Sequence, residues 1–235
     1  MTKKKPFLVG VTGGVGAGKS LICKILNTLG IPIYSSDGRA KELMNNNEDL
    51  KKKIINNFGI ESYKNNKIDN QFLSDKIFEN TSYRLKINSL VHPFVKEDFH
   101  FWIKKNSNSN YLVKESALII ESKSYKELDF LIYVSAERST RIKRVLERDT
   151  GRNEDDIVKI IETQMNDKKA IDFCDEVIDN NEKNLLLPKV LKIHEKILQA
   201  LFYSLFLLQL MAYDCNKRGR LNQNYLKVYV FQIHL

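Results

Sequence analysis

Cysteine is scarce in this chain: Cys23, Cys174 and Cys215 are the three in 235 residues. None stands at the paired spacing of a zinc site, and an odd, scattered set supplies no disulfide framework. That excludes a stapled extracellular mini-domain and points to a reducing cytosol. A secretory leader is also lacking in substance. Three lysines followed by apolar residues imitate one, but a glycine-rich loop fills the place where a leader would be cut, so a cytoplasmic protein is expected. No internal repeat is visible. Residues 197–213 carry no charge, but seventeen such residues fall short of the roughly 20 that a span needs, and Gln199 and Gln209 interrupt them.

What is present describes a globular protein. Hydrophobic residues make up 43% and charged residues 29% of the chain, enough for one α/β domain with a small insertion. The net charge is +9. A basic surface attracts anionic substrates or nucleic acid. Alternatively, the excess of Lys, Asn and Ile reflects AT-rich coding, with most lysines solvated. The scatter of the lysines favours the second reading.

Residues 13–20 read GGVGAGKS and follow the apolar run at 7–11. This is G-x-x-x-x-G-K-[ST] in the context that gives it meaning: a buried strand, a glycine-rich turn and a helix starting near Lys19. Backbone N–H groups of Gly13, Gly14, Val15, Gly16, Ala17 and Gly18 can line a concavity for a polyphosphate, and the helix start adds its own free donors. Lys19 can reach the β- and γ-phosphates, and the Ser20 hydroxyl can ligate Mg²⁺.

Further along, a helical stripe covers 21–29, and a second strand at 31–34 ends at Ser35-Ser36-Asp37. Helices are expected at 38–44 and 48–58, a polar loop at 65–70, and a helix from Thr81 to about Leu90 that restarts at His92-Pro93. Strands are expected at 111–113, 130–134 and 177–178. Ser135 should cap a helix through Arg148, with a polar segment at 150–155, a helix to about 165 and another over 185–199. Strands alternating with helices imply a parallel sheet with crossovers. The chargeless stretch reads as a packed helix, a membrane-facing tail or a non-native extension.

Phosphoryl transfer needs phosphate positioning, a metal, positive charge and a base. Asp37, beyond the second strand, can take the proton of an attacking hydroxyl or help hold Mg²⁺; it can equally be a helix N-cap. Glu115 is a Walker-B-like acid or an exposed loop glutamate. Arg138, Arg141, Arg144 and Arg148 share one helix, with Arg152 beyond, as a phosphate clamp or a solvated basic face. His92 either touches substrate or holds a structural hydrogen bond. Asn166-Asp167-Lys168 lacks the order of a guanine-specificity motif.

The order of these motifs resembles dephospho-coenzyme A kinase, a family of P-loop nucleotide kinases. The resemblance spans about 7–198. It is carried by Thr12 to Ser20, by Ser35-Ser36-Asp37 against D-A-D, by Leu90-Val91-His92-Pro93 against L-x-H-P, and by Glu115 to Glu121 against D-x-P-L-L-x-E. Arg144 to Asp149 against R-x-x-x-R-D, Gln164, and Cys174 to Asn180 against A-D-x-V-I-x-N complete it.

The resemblance implies a P-loop kinase fold with a parallel sheet flanked by helices, a helical acceptor-binding insertion at about 60–105 and a lid at about 140–160. It implies transfer of the ATP γ-phosphoryl to the ribose 3′-hydroxyl of dephospho-CoA, with Mg²⁺. Asp37 would be the base, with Lys19 and Arg144 also catalytic. The loop residues 13–20, Leu21, Arg148 and Asn180 would bind ATP, and His92, Lys41 and Glu115 the acceptor. No nucleic-acid or membrane partner is expected, and the residues define no oligomeric state. Departures are Ser35 for the first aspartate, Leu21 for threonine, Asn70 and Lys41 for arginine-type positions, Ala117 for proline, and an extension at 199–235. Lys19, Ser20 and Asp37 are kept, so activity is expected. Other small-substrate kinases, such as those for nucleoside monophosphates, and a nucleotide-dependent nucleic-acid binder stand as alternatives.

Overall fold

The computed structural model describes residues 6–149, 151, 153–181 and 185–218. Expected features at Thr150, Arg152 and 219–235 lie outside the described residues. Two compact units divide the chain, 1–181 and 182–235.

The first unit is built on a five-stranded sheet in the order β2-β5-β1-β6-β7, every pairing parallel. The strands are β1 (Phe7–Thr12), β2 (Ile33–Ser35), β5 (Tyr111–Glu115), β6 (Phe130–Ser135) and β7 (Glu176–Asp179). Leu8, Val9, Val11, Leu112, Val113, Leu131, Ile132 and Val134 are all buried, as strands covered on both faces require. Parallel pairing puts every strand's C-terminal end at one edge. That edge carries Gly13, Ser36-Asp37, Ser116, Ala136 and Asn180. The strand order reverses at β1, and ligand crevices form at such switch points.

Helix α1 (Lys19–Thr28) buries Ile22, Cys23 and Leu26. Burial pushes the Cys23 thiol well up, making it a core group and not a nucleophile. Helix α2 (Ser36–Asn46) starts two residues before the expected position, because Ser35, still extended at ψ 102°, takes the N-cap. Asp37 is therefore in the first turn and is not the N-cap. Helix α3 (Glu48–Phe58) matches its expected span, with the Asn47 side chain accepting from the Leu50 N–H.

Three expectations are corrected in the next segment. The loop at 65–70 contains a hairpin, β3 (Tyr63–Lys64) and β4 (Lys67–Ile68), turned by Asn65 and Asn66 at φ 50° and 64°. Helix α4 (Asn70–Glu79) then begins at Asn70. Helix α5 (Thr81–Lys105) is continuous through Pro93 with Asn80, not Thr81, as its cap. Proline removes one donor, but the 25-residue helix continues on both sides of it. Leu50, Ile54, Phe58, Ile68, Leu73, Ile87 and Val91 form a core cluster that α3 shares with β4, α4 and α5.

Tyr34, buried at the end of β2, anchors this insertion to the sheet. Its hydroxyl donates to Asp98 Oδ2 at 2.8 Å, and Arg39 grips the same carboxylate through Nε at 2.9 Å and Nη2 at 2.6 Å. Phe99 and Trp102 pack on the Tyr34 ring.

On the other side lie α6 (Arg138–Arg148), α7 (Glu154–Thr163) and α8 (Asp167–Ile171). Ser135 ends β6 and the cap of α6 is Glu137, a correction of the expected Ser135 cap. Two residues of extended chain separate strand from helix. In the second unit, α9 (Leu186–Arg218) runs through the boundary expected at 198 as one helix. No helix among the described residues is long and apolar enough to cross a membrane.

The bidentate Arg39 contact holds the Asp98 carboxyl below its usual range. A depressed folded pKa contributes stability above the unfolded pKa and loses it as pH falls through the folded value. Asp98→Asn should lower the thermal midpoint at pH 7. The gap from wild type should close as pH falls below the usual carboxylate range, in melts followed by circular dichroism. A gap that is constant with pH would assign the effect to packing alone.

Candidate active site

The phosphate loop closes β1 onto α1. Its glycines are required by geometry, as Gly16 and Gly18 show. Gly16 has φ +76°, and a Cβ there would lie 2.5 Å from the Arg141 carbonyl oxygen; Gly18 has φ +94°, and a Cβ would lie 2.1 Å from Asn180 Nδ2. The loop is thus wrapped against side chains and backbone from distant segments.

Arg141 holds it from behind. The guanidinium side chain is only 5% exposed. Its Nε donates to the Val15 carbonyl at 2.9 Å, Nη2 to Gln164 Oε1 at 3.2 Å, and Nη1 faces Asp167 at 3.3 Å. Gln164 Oε1 also accepts from the Val15 N–H at 2.9 Å. Both polar groups of the Val15 peptide are therefore fixed by side chains more than a hundred residues away. Asn180 fixes the next turn, donating to the Ala17 carbonyl at 2.8 Å while Arg144 Nη2 donates to the Asn180 carbonyl at 3.0 Å.

Lys19 is buried, and its ammonium donates to the Gly13 and Gly14 carbonyls at 2.9 and 3.1 Å. Burial lowers its pKa, and the nearby Asp37 and Glu115 carboxylates oppose that shift. Both acids thus act on the loop lysine. Ser116 Oγ stands 3.4 Å from Asp37 Oδ1, linking the ends of β5 and α2. Asp37 is exposed in the first turn of α2, where the helix dipole favours a carboxylate. Ser20 and Leu21 are exposed at the start of α1.

The remaining expected residues divide in two. Arg148 is exposed and bound by its neighbour Asp149, through Nε–Oδ1 at 2.8 Å and Nη2–Oδ2 at 3.0 Å. Lys41 is exposed in a polar cleft of about 500 Å³ between Glu42 and Asn45 of α2 and Asn65, Asn66 and Lys67 of the hairpin. His92 is exposed on α5, although local desolvation and then the Lys114 charge lower its imidazole pKa. Glu115 does not join Lys41 or His92; it sits with Lys19.

Sequence reasoning offered Arg141 as part of a phosphate clamp or a solvated face; its contacts with Val15 and with Asp167 were not foreseen. Gln164 was in view only as a motif match. Asp167 also accepts from the Tyr133 hydroxyl at 2.7 Å, which explains the acid that the guanine motif did not.

A family model, CoaE, described as dephospho-CoA kinase, matches residues 7–185. The chain belongs to the dephospho-CoA kinase family. It is 29% identical to the dephospho-CoA kinase of Bacteroides fragilis over 195 residues, 83% of this chain and 95% of that protein. It is 32% identical to that of Chlorobium chlorochromatii over 207 residues, 85% and 97% of the two chains. The fold matches a solved Thermus thermophilus protein at TM-score 0.70 with 23% identity, covering 81% of this chain and 96% of that one. It matches the dephospho-CoA kinase of Campylobacter jejuni at TM-score 0.61 with 22% identity, covering 82% and 97%. Dephospho-CoA kinase relatives thus extend over almost their whole length on the segment that holds the loop, Asp37 and Asn180.

Removing the Arg141 charge takes the side-chain donor from the Val15 carbonyl and one partner each from Gln164 and Asp167. Arg141→Met should destabilise the fold by about 2–4 kcal/mol in urea unfolding. A loss under about 0.5 kcal/mol would place it with ordinary surface arginines.

Proposed function

We propose that this chain transfers the γ-phosphoryl of ATP to the ribose 3′-hydroxyl of dephospho-CoA, giving CoA and ADP in the cytoplasm. Family membership supports the reaction. The single observation that supports the site reading is a phosphate-loop Lys19 held on the Gly13 and Gly14 carbonyls within electrostatic reach of Asp37. A base for the acceptor and a cation for the donor phosphates meet there.

In this reading the loop N–H groups of residues 13–20 hold the ATP phosphates, with Leu21 contributing backbone alone. Incoming phosphate charge offsets the burial that lowers the Lys19 pKa and keeps its ammonium charged while charge shifts to the bridging oxygen. Ser20 would hold Mg²⁺, which neutralises phosphate charge when bound. Asp37 accepts the proton of the attacking hydroxyl. Arg144, set by Asn180, supplies positive charge to the transferring group, and Arg148 joins it by leaving Asp149 when the 140–160 segment closes. Lys41 and His92 face the acceptor. The partners are small molecules, ATP and dephospho-CoA, and the +9 charge is a solvated surface, not a nucleic-acid footprint.

With Mg-ATP and dephospho-CoA, product analysis should show a 3′-phosphorylated product. Lys19→Ala should abolish it while the circular dichroism spectrum persists; near-normal kcat in that variant would sink the loop assignment. Asp37→Asn should lower kcat by about 10²–10⁴. A drop under about threefold would leave Asp37 without a role as base.

A further inference from the structure

Lys114 lies within β5, between Val113 and Glu115, and is 8% exposed. A lysine is almost never buried in a sheet without a partner, because desolvating the ammonium is expensive. Here the Nζ lies 4.6 Å from the centroid of the Phe99 ring on α5. Among the described residues it forms no hydrogen bond and no ion pair. A cation–π contact with phenylalanine offsets a small part of the desolvation of a full charge.

Its position singles it out further. Side chains alternate along a strand, so Lys114 shares a face with Ser116. Ser116 is the residue whose hydroxyl stands 3.4 Å from Asp37. The α-carbon of Lys114 is therefore one pleat repeat, roughly 7 Å, from that of the residue that contacts the proposed base. Tyr34, its partner across β2, leads into Asp37 through Ser35 and Ser36.

Helix α5 adds charge of the same sign. His92, Lys96 and His100 recur every four residues and so lie along one stripe. His92 is within electrostatic reach of Lys114. Lys96 pairs with Glu127, and His100 Nε2 stands 3.5 Å from the other oxygen of that carboxylate. Glu127 and Lys96 act on Lys114 in opposite directions. Three basic groups, Lys96, His100 and Lys114, thus share the Glu127 carboxylate, and His92 adds a fourth base beside Lys114.

We propose that Lys114, with His92 and Lys96, forms the subsite for the 5′-diphosphate of the acceptor. The proposal rests on the kinase reading above. Dephospho-CoA carries its diphosphate on the same ribose whose 3′-hydroxyl would face Asp37, so the anion must come to rest within about one sugar's width of the base. A diphosphate is also the partner that a buried, unpaired ammonium lacks, since charge-assisted hydrogen bonds are the strong ones in a site shielded from water.

The test keeps the ATP site filled. Wild type and Lys114→Met, each saturated with Mg²⁺ and a non-hydrolysable ATP analogue, are titrated calorimetrically with dephospho-CoA and with adenosine. Lys114→Met should weaken dephospho-CoA by about 10–100-fold and adenosine by less than about threefold. Equal losses on both ligands, no loss on dephospho-CoA, or wild type binding both equally well would overturn the subsite. If Lys114→Met fails to fold, the double variant His92→Gln/Lys96→Gln, on the exposed face, carries the same comparison with the same expected selectivity. Turnover separates the two readings. Wild type that binds dephospho-CoA through Lys114 but forms no CoA would overturn the kinase and uphold the subsite.

Discussion

Both polar groups of the Val15 peptide are held by side chains, and the rest of the site depends on that grip. A turn with Gly16 and Gly18 at positive φ has little intrinsic stability, because glycine loses the most freedom on ordering. Arg141 and Gln164 supply what the turn lacks, one donor and one acceptor in the middle of the loop. Asn180 does the same at Ala17. With these contacts in place, the loop N–H groups are oriented before any ligand arrives, which is the electrostatic preorganisation that phosphoryl transfer needs. The helix that carries Arg141 also carries Arg144, so the brace and the proposed phosphate clamp are held on one element.

The parallel sheet accounts for the second half of the site. Because all five strands end at one edge, residues from 37, 115 and 180 reach the same loop without any long connection. The helical insertion has its own core, separate from the sheet. Tyr34 and Arg39 join the two through Asp98. Their contact falls within two or three residues of Asp37, so the geometry of the base and the seating of the insertion are set together.

Much of this was legible in the residues, and the parts that were not share a cause. The loop pattern at 13–20 is local, and its strand and helix flanks agree with it. The span of α3, expected at 48–58 and found there, was local in the same way. The hairpin at 63–68 was hidden because two-residue strands show no alternation, and Asn65 and Asn66 read as loop when they are the turn itself. Pro93 suggested a helix restart, yet a single missing donor was outweighed by the contacts of α5 along 25 residues. Arg141 looked like one of several solvated arginines, since nothing in its own helix reveals an acceptor 126 residues away. A long-range partner for a local pattern is the information that periodicity does not carry. Gln164 was the available signal, being a polar residue at a motif position with no local task.

The central claim is that one site joins the ATP loop to an acceptor built as a dephospho-CoA, not as a generic nucleotide. Initial rates of the purified chain with Mg-ATP, measured side by side on dephospho-CoA, AMP, CMP and dTMP, test it most directly. The account predicts a kcat/KM on dephospho-CoA at least about 100-fold above each nucleoside monophosphate. A nucleoside monophosphate that matches or exceeds dephospho-CoA would contradict it.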